Sequence, residues 1–155
     1  MKNYFSILIL SFALTQSVFA QTDKKQIIDI EKAIQDIKNN IGSFQKIEKY
    51  NDNSGHKYYF VKDKQLQLVT VDFQDDNINK KVEWYFSNGK LIYSEQIWTD
   101  TKSKNIIDNE RFYLSNDKLI SWIKESQAVE NNSREFQDTN TQLALYGEKL
   151  LSDFK

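Results

Sequence analysis

The sequence predicts an α+β protein: an antiparallel β-meander of six or seven strands flanked by an N-terminal and a C-terminal helix. Three observations carry this expectation. The stretches Tyr59–Leu68, Trp84–Tyr93 and Phe112–Ser121 align without a gap, each reading aromatic, one residue, apolar, polar turn, then Gln or Lys followed by Leu. The central copy holds Asn88-Gly89, the strongest short-range hairpin signal a sequence carries. Isoleucines before these repeats, and an apolar series after them, recur at helical spacing.

The first twenty residues read as an export leader. Lys2 supplies a positive start, Phe5–Leu14 is an almost unbroken apolar run, and Val18-Phe19-Ala20 places small residues where signal peptidase cuts. The run is far shorter than the ~20 residues that span a bilayer, so no transmembrane segment is expected once the leader is cut after Ala20. Residues 21–155 then form a single α+β domain, periplasmic or secreted. A chain of this length buries roughly two-thirds of its unfolded surface in one core. Three Trp, eight Tyr and ten Phe, all but Tyr4, Phe5, Phe12 and Phe19 beyond the leader, make disulfides unnecessary to it.

After a short polar lead, Ile27, Ile30, Ile34, Ile37 and Ile41 form one apolar stripe on a helix over Asp23–Asn40. Thr22 or Asp23 is its N-cap, and Gly42 follows the last periodic residue as a helix stop. Two and a half heptads are too few for a coiled coil, so this helix docks on the sheet. Strands are expected near Ser43–Tyr50, Lys57–Val61, Leu66–Phe73, Lys80–Phe86, Leu91–Trp98, Ile107–Leu114 and Leu119–Lys124. Their turns fall at Asn51–Gly55, Asp63-Lys64, Asp75–Asn79, Asn88-Gly89, Asp100–Asn105 and Asn116-Asp117. Links this short pair consecutive strands as antiparallel neighbours. A polar linker, Ser126–Ser133, leads to a second helix over Arg134–Ser152, with Asp138–Asn140 a point of interruption and Gly147 costing ~1 kcal/mol against Ala.

Plain alternation assigns the sheet faces. Opposite Asn88-Gly89, Phe86 faces Leu91, Tyr85 faces Ile92 and Trp84 faces Tyr93, so Trp84, Phe86, Leu91 and Tyr93 share face one. Face two takes Tyr85, Ile92, Gln96 and Trp98. The first copy puts Tyr59, Val61, Leu66 and Leu68 on face one, with Tyr58, Phe60 and Val69 on face two. In the third copy Phe112, Leu114, Leu119 and Ile123 are on face one, and Arg111, Tyr113, Ile120 and Trp122 on face two. Face one is the main core. Face two has two readings. Either the sheet curls or a helix covers each face, making both core, or Tyr58, Tyr85, Trp98, Tyr113 and Trp122 form an exposed aromatic platform for a ligand.

Several chemistries are disfavoured by composition. With 21 basic against 22 acidic residues, only Arg111 and Arg134 as arginines, and no basic stripe, there is no footprint for nucleic acid. The absence of cysteine removes thiolate nucleophiles and sulfur metal sites. The single histidine, His56, sits beside an Asn53-Ser54-Gly55 turn, where a solvated side chain is the default and a catalytic relay is not. Asp72, Asp75, Asp76 and Asn77 lack the glycine and closing glutamate of an EF-hand. Glu83, Glu95, Glu110 and Glu125 sit on or beside strands, but no spacing singles out an acid and a base. Four isolated glycines make no phosphate loop. No catalytic residue, metal or cofactor is therefore predicted.

Trp84-Tyr85-Phe86-Ser87-Asn88-Gly89-Lys90-Leu91-Ile92 and Arg111–Ile123, with the polar linker and the Phe136–Phe154 helix, resemble an uncharacterised family of exported bacterial proteins with repeated Tyr-Phe-x-Asn-Gly-Lys-Leu-Ile hairpins. The family pattern has Asn-Gly where this chain has Asn116-Asp117, so that turn is expected to differ. The resemblance implies export and an α+β fold, with no activity attached. The function expected is a non-catalytic binding or interaction module for an unknown ligand or envelope protein. The alternatives are a carboxylate-dependent hydrolase and a structural envelope-associated protein that pairs through a sheet edge.

Overall fold

The computed structural model describes residues 23–51, 55–74 and 77–154. The expected leader and cleavage point, Thr22 as a cap, the turn residues 52–54, and Asp75 and Asp76 lie outside them.

Helix α1 covers residues 23–40 and runs into a 3-10 turn, Ile41–Ser43. Eight strands follow: β1 (Gln45–Asn51), β2 (Gly55–Lys62), β3 (Gln65–Gln74), β4 (Ile78–Ser87), β5 (Lys90–Asp100), β6 (Ile106–Ser115), β7 (Lys118–Lys124) and β8 (Gln127–Ala128). They form one antiparallel sheet in strict sequence order, and helix α2 (Arg134–Phe154) closes the described chain. The fold is the expected α+β meander with a helix at each end. Its eighth strand is a two-residue addition inside the span read as linker.

Turn chemistry explains the meander. Asp63-Lys64, Asn88-Gly89, Asn116-Asp117 and Glu125-Ser126 all have both residues at positive φ, between 47° and 72°. That is the type I′ geometry whose twist matches paired strands. Asn116-Asp117, at 51° and 63°, adopts the same turn as Asn88-Gly89, so the expected difference between those turns is absent.

In three hairpins the register departs from plain alternation in the same way. Phe86 pairs with Leu91 as drawn, but Tyr85 pairs with Tyr93 and Trp84 with Ser94, leaving Ile92 as an extra residue. Likewise Phe60 pairs with Leu68 past Gln67, and Tyr113 pairs with Ser121 past Ile120. Each bulge sits three residues after its turn. Because side chains alternate with period two, one inserted residue moves everything beyond it on the returning strand to the other face. Leu68, Tyr93 and Ile123 therefore leave face one, while Val69, Gln96, Trp98 and Trp122 join it.

Both faces are core, one under each helix. Face one packs Trp84, Phe86, Leu91, Phe112, Leu114 and Trp122 against Phe136, Leu143 and Leu150 of α2. Face two packs Leu68, Tyr85, Tyr93 and Tyr113 against Ile30, Ile34 and Ile37 of α1. Helix α2 starts at Ser133, whose Oγ accepts from the Phe136 amide at 3.1 Å. It continues without interruption through Asp138–Asn140, because Asn140 directs its Oδ1 to the Leu119 amide of β7 (2.7 Å) and not to its own backbone. At its far end Lys49 of β1 donates to the Asp153 carbonyl, and Phe154 stacks on Tyr59 of β2. The helix thus crosses the sheet from β7 to β1. Gly147 allows this crossing: a Cβ there would stand 3.1 Å from Leu91 Cβ, so the missing side chain lets α2 approach β5 closely.

Candidate functional site

The face under α2 is a ladder of cross-strand rows. The innermost, Val69–Trp84–Ser94–Phe112–Trp122, is wholly buried. The Tyr146 ring lies 5.1 Å from Trp84, and Phe112 and Trp122 are tilted at 5.4 Å. The next row, Lys57–Val71–Val82–Gln96–Glu110–Lys124, has a buried middle and half-buried ends. The outermost, Phe73–Lys80–Trp98–Asp108, is open, with Phe73 42% exposed. Burial falls row by row because α2 crosses the inner row and leaves the outer two uncovered. Between the helix and those rows lies a groove of about 560 Å³, walled on the helix side by Glu135, Thr139, Gln142, Leu143 and Tyr146.

The charges in this groove are uneven. Glu110 accepts from Lys124 at 3.0 Å and holds that ammonium above its ordinary value. Lys80 lies 4.5 Å from the centre of the Trp98 ring, a cation–π contact. Among the described residues, neither Lys57 nor Lys80 has a carboxylate within ion-pair distance. Trp122 lines the groove, and its buried indole N–H has no hydrogen-bond partner among the described residues, an uncommon state for a buried donor.

A second cleft lies beside α1. Here Glu83 and Glu95 are Cα partners directly across β4 and β5, a pair of acids of the kind a carboxylate hydrolase uses. Their electrostatics point elsewhere. The Glu83 side chain is 13% exposed, bound by Lys81 Nζ at 2.6 Å and by the Tyr85 hydroxyl, which donates at 2.6 Å. Burial pushes the Glu83 carboxyl up, yet these two partners outweigh it and hold the group below its ordinary 4.5. A general acid needs the opposite shift. Burial likewise drives the Tyr85 and Tyr93 hydroxyls far above their usual range, so neither serves as a base near neutrality.

This arrangement has a measurable consequence. A carboxyl whose affinity for protons is lowered by folding stabilises the native state above its unfolded value, and that contribution disappears as pH falls through the folded one. In urea titrations run from neutrality down through pH 4.5, Glu83→Gln should be less stable than the parent at neutral pH. The gap should narrow on acidification. Parallel curves would show that Glu83 contributes nothing to the acid limb.

The five residues expected to form an aromatic platform do not share a face. Tyr58, Tyr85 and Tyr113 are on the α1 side, and Trp98 and Trp122 on the α2 side. Tyr85, Tyr113 and Trp122 are buried, at 1%, 3% and 3% exposure. Tyr113 also donates to Glu31 of α1 at 3.2 Å. Tyr58 is half-buried, with Lys46 Nζ 3.7 Å above its ring. Of the five, only Trp122 lines the α2 groove. His56 is exposed, with Nδ1 2.7 Å from Glu48 Oε1. Among the described residues no group of three or more His, Asp or Glu is placed to hold a metal ion, and no helix is long and apolar enough to cross a membrane.

Phe73, Lys80, Lys57 and Tyr146 were not singled out by sequence. The usable signal for the first two was the Val71–Phe73 and Lys80–Val82–Trp84 alternation once strands β3 and β4 are paired. Comparison with known protein families, with curated proteins and with solved structures finds no match.

Proposed function

We propose that this protein is an exported, non-catalytic binding module whose ligand lies in the groove between α2 and the sheet. One observation carries the reading: the apolar sheet surface extends beyond the helix that covers it, leaving Phe73 exposed beside a concave opening. Its volume and its mixed apolar and polar lining are typical of ligand sites. Export rests on the leader-like residues 1–20. Hydrolysis by Glu83 and Glu95 is less favoured because Glu83 is held ionised. Pairing through the β1 edge is less favoured because Lys46, Glu48 and Lys49 supply the charges that guard exposed edges.

All three tryptophans, Trp84, Trp98 and Trp122, lie on the groove side of the sheet, so their fluorescence reports on occupancy. Nile red, an uncharged apolar dye, should bind with saturable energy transfer from these residues. Gln96→Phe, which fills the centre of the groove, should weaken that binding at least tenfold without loss of cooperative unfolding. Undiminished binding to the filled variant, or none to the parent, would remove the groove as the site.

A further inference from the structure

We infer that the groove takes a short, extended peptide with free termini and apolar side chains. This rests on the groove being the binding site and adds the class of ligand.

The argument begins with the middle row. Lys57, Val71, Val82, Gln96 and Glu110 stand side by side on five adjacent strands and all line the groove. At the usual strand separation this row spans roughly 19 Å. One end is cationic: Lys57 is half-buried and has no carboxylate partner among the described residues. By contrast, Lys81, Lys90 and Lys124 each contact an acid at 3.0 Å or less. The other end is acidic, with Asp108, Glu110 and Glu135 around the single ammonium of Lys124. One oxygen of Asp108 is buried there with no hydrogen-bond partner among the described residues.

Between these poles the floor is apolar, formed by Val71 and Val82, and the side-chain amides of Gln96 and Gln142 border it. Trp122, whose buried indole N–H has no hydrogen-bond partner among the described residues, lies along the inner side. A ligand that matches this surface carries a negative group at one end, a positive group at the other, apolar substituents between them and hydrogen-bonding groups along its length. An extended peptide of about six residues has that length and that chemistry. Its carboxylate would meet Lys57, and its ammonium the acidic end. A fatty-acid-type amphiphile matches the cationic end and the floor, but leaves the acidic end and the indole N–H without a counterpart.

The test uses tryptophan fluorescence with Leu-Ala-Leu-Ala-Leu-Ala as the probe, alongside its C-terminal amide, its N-acetyl form and decanoate. The free peptide should bind saturably. Removing either terminal charge should weaken binding by about tenfold, as the loss of half-buried charge pairs does. Lys57→Gln should reduce affinity for the free acid to that of the amide without loss of cooperative unfolding. Equal binding of acid and amide overturns the inference. So does tighter binding of decanoate than of peptide. Nile red binding with no peptide binding overturns the peptide alone, whereas failure of both removes the groove reading as well.

Discussion

Phe86→Ala should lower the stability of the protein by about 3–5 kcal/mol, the range for truncating a fully buried aromatic ring. Phe86 has no exposed surface and forms the first inward pair beyond Asn88-Gly89, opposite Leu91. It belongs to the cluster that also holds Phe136, Leu143 and Leu150, so the cavity would open where hairpin and helix meet. Relaxation is restricted on the helix side, because Gly147 already brings α2 against Leu91. For a domain stabilised by about 5–15 kcal/mol in total, such a loss is a large fraction. The urea midpoint should fall steeply with little change in slope. A drop below about 1 kcal/mol would mean that Phe86 is not fixed in this core.

The second large effect tests the bulge directly. Tyr93→Ala should cost about 3–5 kcal/mol, whereas Ile92→Ala should cost roughly 1 kcal/mol. Plain alternation makes Ile92 the partner of Tyr85. In the structure Tyr93 takes that place at 5% exposure, between Tyr85 at 5.6 Å and Tyr113 at 5.0 Å. Ile92, the extra residue, is only half-buried at the margin of the same cluster. Chemical denaturation of the two variants, measured side by side, separates the registers. If Ile92→Ala proves the more damaging, the bulge is misplaced and so is every side assigned beyond it.

Why so much of the architecture was legible follows from the turns and stripes. Asn88-Gly89 and its relatives fix where strands reverse, and the isoleucines of α1 mark a helix and its buried side at once. The first residues on either side of each turn, such as Phe86 and Leu91, also fell on the correct face, because a two-residue turn leaves no freedom there. Beyond that point, sequence reasoning failed for a definite reason. Leu91-Ile92-Tyr93 and Leu119-Ile120 are runs in which every residue is apolar, so nothing in their polarity shows that one of them is supernumerary. The expected platform failed with them: Trp98 and Trp122 lie past bulges, and Tyr85 and Tyr113 are covered by α1. The groove was illegible for a different reason. It depends on the angle at which α2 crosses the strands, which is set by the Gly147–Leu91 approach, the Asn140–Leu119 bond and the Lys49–Asp153 bond, contacts between residues far apart in the chain.

The unbroken order of the strands bears on how quickly the native state is reached. Each strand pairs with the one before it across a connection of a few residues, so sheet assembly never waits for distant segments to meet. Pairing of that kind keeps the entropy of closing loops small, and a sheet of this size can therefore zip together faster than a sandwich or barrel with crossed connections. The slow search is left to the two helices, each of which must find its own side of a ribbon already in place.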